Sequence, residues 1–224
     1  MTSKRPLLYL AAGIAMVSLL LVILVNLPQA TTQFTHTFPT TIQTSAGTSF
    51  SLQDYTITLT SPQSIYLGAF GKVDLQIEPK SADGSALSSN LAKLYQQYSP
   101  VIDTRLELVG MTVQPNDQIS EPLGEGKSVQ FEWQLSPNQD GVVSGTLWIY
   151  ISLVPKGGGT AENLTLFALP ITSESKDLMG MAVGMVYLLA GGGGLLAIGL
   201  AAYALFPRRK KKLQKKQTLK PHHR

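Results

Sequence analysis

The stretch SVQFEWQLSPNQDGVVSGTLWIYISLVP, Ser128–Pro155, is the one whose reading decides the fold. Val129, Phe131, Trp133 and Leu135 alternate with polar residues, and Leu147, Ile149, Ile151 and Leu153 resume the alternation after Pro137 and Gly141. Successive side chains of a strand point to opposite faces, so this period of two marks strands with one buried face. Pro137 cannot continue a ladder and Gly141 accepts turn geometry, so the interruption separates two strands. In this phase Trp133 faces inward and fills the space between sheets, as a large aromatic does in a core. Trp148 and Tyr150 fall on the opposite phase and face outward.

The same period recurs on both sides. It is carried by Tyr55, Ile57 and Leu59, by Val73, Leu75 and Ile77, by Thr104, Leu106 and Leu108, and by Leu164, Leu166 and Ala168. Turn chemistry bounds these runs: Ala82-Asp83-Gly84, Pro115-Asn116-Asp117, Gln139-Asp140-Gly141, and Lys156 followed by Gly157-Gly158-Gly159. Short alternating runs with frequent turns predict a mostly β protein built as an antiparallel β-sandwich. One segment departs from the pattern. Leu87, Leu91, Leu94 and Tyr98 recur at helical spacing before Pro100, which predicts a short helical crossover between the sheets.

The positions Trp133, Leu135, Pro137, Gly141, Gly145 and Trp148 together resemble a group of bacterial membrane-anchored proteins. Those proteins carry an immunoglobulin-like sandwich with a W-x-hydrophobic-x-P motif, a glycine and a second tryptophan strand. The resemblance covers roughly residues 55–172 and implies an immunoglobulin-like fold and a bacterial origin. It implies no activity and carries over no functional residue. The Cys…Trp…Cys trio of antibody-type domains is absent, since the chain has no cysteine.

Outside this region the chain turns apolar. Leu7 to Leu27 is uncharged, with only Ser18 and Asn26 mildly polar, and its 21 residues reach the thickness of a bilayer core as a helix. A cleaved signal peptide has a shorter apolar region and a better small-residue cleavage site than Pro28 and Ala30 provide, so an uncleaved anchor is expected. A second charge-free segment runs from Leu178 to Pro207. Gly180 and Gly184 there form a G-x-x-x-G pair, and Gly191 to Gly194 are consecutive, which marks Gly180, Gly184, Gly191 and Gly194 as candidates for helix packing, either against the first span or between copies.

Charge is sorted along the chain. All 14 acids lie between Asp54 and Asp177 with seven cations, a net of −7, whereas the ends hold the other 11 cations. Lys4 and Arg5 precede the first span, and Arg208, Arg209, Lys210, Lys211 and Lys212 follow the second. Basic clusters beside a span stay on the cytoplasmic side, so both termini are expected in the cytoplasm and the centre outside it. This is the pattern of a two-pass protein of the cytoplasmic membrane rather than a soluble one. The expected organisation is a cytoplasmic N-terminus at 1–6, a transmembrane helix at 7–27, a Thr-rich stalk or edge strand at 28–50, and an extracytoplasmic β-sandwich at 51–173. A second transmembrane helix at 179–206 and a basic cytoplasmic tail at 207–224 complete it.

Little in the centre speaks for chemistry. With no cysteine, thiolate nucleophiles, zinc-thiolate sites and disulfides are excluded. His36 is the one histidine of the central region, in the Thr-rich stretch, and no nucleophile, zinc or phosphate-loop motif occurs. Asp117, Glu121 and Glu125 share one loop but lack calcium-loop spacing, so a solvated acidic loop is expected. Asn163-Leu164-Thr165 is read as a chance glycosylation sequon. The basic tail suits anionic lipid headgroups and lacks the interleaved aromatics that stack on bases, so the bilayer rather than nucleic acid is the expected contact. No catalytic residue, metal site or cofactor is expected. The leading reading is a non-enzymatic interaction or accessory subunit of a membrane complex that binds another membrane or surface protein, with self-association through the second span. A surface ligand-binding or adhesion module is the alternative, a hydrolase the remote one. Trp148 and Tyr150 are the candidate partner surface.

Overall fold

A computed structural model describes residues 5–38, 41–45, 47–80, 89–178 and 180–206. The expected turn at Ala82-Asp83-Gly84, Leu87, and the charged residues Lys4, Arg208, Arg209, Lys210, Lys211 and Lys212 lie outside these; Arg5 is the first residue of a helix. The chain separates into a β-rich unit, Val25–Val186, and a helical unit formed by the segments before and after it.

The first helix, α1, is Arg5–Val25. The Thr-rich segment that follows is an edge strand, β1 (Thr31–Thr37), which pairs antiparallel along its whole length with β4 (Tyr55–Pro62). A two-residue ladder, β2 (Ile42–Gln43) with β3 (Ser49–Phe50), lies between them in sequence. Next come β5 (Ser64–Tyr66) and β6 (Gly71–Pro79). Helix α2 (Ser89–Gln97) then leads into β7 (Tyr98–Leu108), β8 (Met111–Gln114), β9 (Ile119–Pro122), β10 (Val129–Pro137), β11 (Gly141–Pro155) and β12 (Glu162–Lys176). Helix α3 is Val183–Leu205.

Ten of these strands form two five-stranded sheets, in the orders β1-β4-β6-β10-β8 and β5-β12-β11-β7-β9. All pairings are antiparallel except β12 with β5. The inward residues of both sheets merge into one core that includes Tyr55, Ile57, Leu75, Ile102, Trp133, Leu147, Ile149 and Ile171. Trp133 is completely buried and stacks on Phe131, with ring centroids 6.3 Å apart. Helix α2 carries the chain from the first sheet to the second and buries Leu91, Leu94 and Tyr95. It ends at Gln97, before the expected Tyr98, which opens β7 instead. Proline disfavours helix in the residue before it, and Pro100 sits within β7, where its carbonyl accepts the Leu123 N–H at 2.9 Å.

The alternation in the last strand is interrupted. Ile149 pairs with Phe167 but Tyr150 pairs with Thr165, so Leu166 is a bulged residue and the strand changes phase there. Ala168, expected inward with Leu164 and Leu166, is exposed opposite Trp148. Leu169, Ile171, Ser173 and Ser175 are the inward residues beyond it.

The unit's chain ends meet. The Gln63 N–H donates to the Ala30 carbonyl at 2.8 Å, and the Gln63 carbonyl accepts the Glu174 N–H at 2.9 Å. The segment that leads into β1 and the segment that leaves β12 are therefore neighbours at one pole. Adding β1 to the sheet is what returns the start of the domain to the pole where it finishes.

In the helical unit, partial or full burial recurs at Leu7, Ala11, Ile14, Ser18 and Leu21 on α1, and at Ala190, Gly193, Ala197, Leu200 and Ala204 on α3. Both series step by four and three, the seam of two helices packed side by side. A Cβ on Gly193 would stand 2.5 Å from Ser18 Oγ. The close approach uses Gly193, not the four glycines expected to pack. Gly184, Gly191 and Gly194 have open space where a side chain would project, and Gly180 precedes the helix at φ +76°. Both helices are long and apolar enough to cross a membrane, by length and composition.

Candidate functional site

Strand β11 is the centre of its sheet, between β12 and β7, and its long alternation sets two faces. Leu147, Ile149, Ile151 and Leu153 are wholly buried, whereas Trp148 and Tyr150 are half-buried on the outer face. Their rings lie nearly parallel, 12° apart, with centroids separated by 6.4 Å. Residues two apart on a strand share a face, so this stack follows directly from the sequence spacing.

Cross-strand register supplies the neighbours. Trp148 lies opposite Arg105 on β7 and Ala168 on β12, and Tyr150 lies opposite Asp103 and Thr165. Arg105 forms an exposed ion pair with Glu107 at 2.9 Å. The aromatic pair is thus bordered by a guanidinium on one side and small or hydroxylated residues on the other.

Asp103 is the unexpected member. It stands on the outer phase of β7 yet is only 6% exposed. The Ser120 hydroxyl, on the short edge strand β9, donates to its Oδ1 at 2.5 Å, and the Ser152 hydroxyl donates to its Oδ2. Asn163 lies 2.6 Å from the Ser152 oxygen through its side-chain amide. Ser152 has one hydrogen, given to the carboxylate, so the Asn163 NH₂ is the group that donates to Ser152. Among the described residues no cation pairs with Asp103. Hydroxyl donors compensate its burial and tie β9 to β7 and β11, because charge-assisted bonds of this kind are the stronger ones. A buried anion without its donors is costly.

The acidic loop runs from the end of β8 through β9 to the start of β10. Asp117, Glu121 and Glu125 are exposed, Glu121 on β9 and the other two in flanking turns, and no metal-binding cluster occurs among the described residues. Near its end the Tyr55 and Tyr95 hydroxyls meet at 2.9 Å and converge on the Gly124 carbonyl, while the Gly126 N–H donates to Tyr55. Burial pushes both phenols above their ordinary range. This network fastens the loop to β4 and α2. His36 lies on β1 with its ring 6.5 Å from Phe167, closing that edge of the sheets. An open recess of about 930 Å³ lies where the chain turns from β7 into β8, lined by Leu106, Glu107, Met111, Val113, Gln114 and Thr146.

The structure therefore brings Trp148 and Tyr150 together. The Asp103, Ser120, Ser152 and Asn163 group was not legible beforehand, because residues on an outward phase look solvated until the strand register is known. No protein-family model matches the chain, and no curated protein matches it in sequence.

Proposed function

We propose that this chain is a two-pass protein of the cytoplasmic membrane whose β-rich domain lies outside the cytoplasm and binds another membrane or surface protein as an interaction or accessory subunit. The observation that carries the binding role is the half-exposed Trp148–Tyr150 stack on the outer face of a central strand. Trp133 and Phe131 already fill the core, so the second aromatic pair is free for recognition, and tryptophan, tyrosine and arginine are the residues that dominate protein interfaces.

The membrane setting is supported by the two apolar helices and by the domain's two chain ends meeting at one pole. The orientation rests on the basic residues at the two extremities. Kinship with bacterial membrane-anchored immunoglobulin-like proteins is part of the same reading. In its favour, Trp133 and Leu135 face inward, Pro137 ends β10, Gly141 adopts φ +118°, and Gly145 lies against the β7 backbone.

Photo-crosslinking from Tyr150 in intact membranes, followed by purification in gentle detergent, tests the proposal. A stoichiometric partner lost on Trp148→Ala is the expected result; unchanged crosslinking would refute the role of this face. A surface ligand-binding or adhesion role is the second reading, favoured by the polar rim of Arg105, Asn163 and Thr165. It predicts a soluble ligand that protects Trp148 fluorescence without any copurifying protein. Protease added to sealed cells tests orientation, with the centre cut and the basic tail protected.

A further inference from the structure

Among the described residues of the β-rich unit, the three most exposed large apolar side chains lie at or beside turns. Phe70 is 67% exposed, Val109 79% and Val142 75%, and each tips or adjoins a different turn. Phe70 ends the β5–β6 turn, Val109 lies in the β7–β8 turn, and Val142 is the second residue of β11, just after the β10–β11 turn. Hydrogen bonds join these turns at one pole. The Asn138 N–H donates to the Gly110 carbonyl at 3.1 Å, and the Val109 N–H to the Ser144 carbonyl at 3.2 Å. Gly141 pairs with Ser175, and the Leu67 N–H donates to the Lys176 carbonyl at 2.8 Å.

This is the pole where the chain arrives at Ala30 and departs at Lys176. It also holds the first residue of α3, since the Val183 N–H donates to the Leu67 carbonyl at 2.7 Å. The opposite pole is built differently: its turns carry Lys80, Glu125, Lys127 and Lys156, and Val154, nearest to it, is less exposed than any of the three.

We propose that Phe70, Val109 and Val142 form an apolar fringe that seats in the interfacial layer of the lipid bilayer, so that the domain rests on the membrane surface. The inference rests on the membrane reading of α1 and α3. The occupant follows from position: Val183 begins an apolar helix of 23 residues, and Phe70 lies three residues beyond Leu67, the residue bonded to it. Side chains at the start of a span lie at the depth where apolar groups leave water, and an aromatic ring suits that layer. Only Asn26–Ala30, five residues, separates α1 from β1 in the chain. Asp140 and Asp177 share the pole and stay in the hydrated headgroup layer beside Lys176.

The absence of cysteine makes a clean labelling test available. Full-length Phe70→Cys, Val109→Cys, Val142→Cys, Ala161→Cys and Leu195→Cys would each be labelled with an environment-sensitive nitrobenzoxadiazole dye. They would then be reconstituted in phosphatidylcholine–phosphatidylglycerol vesicles, with Trp133 emission reporting an intact core. The first three labels should shift to the blue and lose intensity with a nitroxide on the lipid headgroup, while the Ala161 label does neither. Labels at Phe70, Val109 and Val142 that behave like Ala161, while Leu195 is quenched by brominated acyl chains, would overturn the fringe and leave the span intact. A Leu195 label insensitive to brominated chains would overturn the span and the fringe with it.

Discussion

Gly145 gives the sharpest quantitative test of the strand packing. A Cβ added there would lie 2.8 Å from both the Glu107 carbonyl carbon and the Leu108 Cα, and closer still to the Glu107 oxygen. Cβ contacts essentially never fall under 3.0 Å, and the Glu107 oxygen lies at 1.9 Å, so β7 and β11 must part by at least 1.1 Å. A ladder bond of about 2.9 Å then stretches to about 4 Å, past the useful range. Overpacking costs about 1–3 kcal/mol, and two weakened ladder bonds add about 1–3 kcal/mol. For Gly145→Ala we expect a loss of about 3 kcal/mol, a fall of about 6–12 °C in Tm for a domain of this size. Two other glycines calibrate the result. Gly141 sits at φ +118° in open space, so its alanine variant should lose about 1–2 kcal/mol from backbone strain alone. Gly157 has neither constraint, so Gly157→Ala should stay within about 0.5 kcal/mol of the parent. The assay is thermal unfolding of the full chain in detergent, followed by tryptophan emission. Equal melting of the Gly145 and Gly157 variants would refute the close approach of β7 and β11.

Trp133→Ala should cost about 3–5 kcal/mol by emptying the core, whereas Trp148→Ala should cost about 1 kcal/mol, the loss of one aromatic pair; urea unfolding separates them. The Ser173 and Ser175 hydroxyls are buried without a hydrogen-bond partner, so alanine at either should leave stability unchanged or raise it by up to about 1 kcal/mol, read from the same curves. Tyr55 and Tyr95 have folded pKa values above the ordinary 10.0. Above pH 10 the unfolded chain therefore releases protons that the folded chain keeps, and stability falls as pH rises. Tyr95→Phe should make that decline shallower by up to about 1.4 kcal/mol per pH unit, measured by unfolding between pH 9 and 12. In the helical unit, Gly193→Ile should separate α1 from α3 while Gly192→Ile does not, scored by crosslinking cysteines introduced at Ala11 and Ala197.

Much of the fold was readable from the side-chain period alone. The runs through Ile57, Leu75, Phe131 and Ile149 became strands with the expected faces buried, and the stripe of Leu91 and Leu94 became the crossover helix. The outward stack of Trp148 and Tyr150 was readable for the same reason, because two residues on one phase of one strand must be neighbours. The short strands β5, β8 and β9 were not, since three or four residues are too few to display a period. The phase change at Leu166 was equally hidden: a bulge is recognised by what the partner strand does.

The chain by itself determined its alternating strands, its two apolar helices, the sorting of charge and the outward aromatic pair, because all of these are properties of neighbours along the backbone. Only the tertiary structure decided that the Thr-rich segment is an edge strand, that Asp103 is enclosed by Ser120 and Ser152, that Gly193 is the glycine at the helix contact, and that Phe70, Val109 and Val142 share a pole. Each of these depends on which distant segments meet. Burial and proximity are set by that pairing, and no local pattern encodes it.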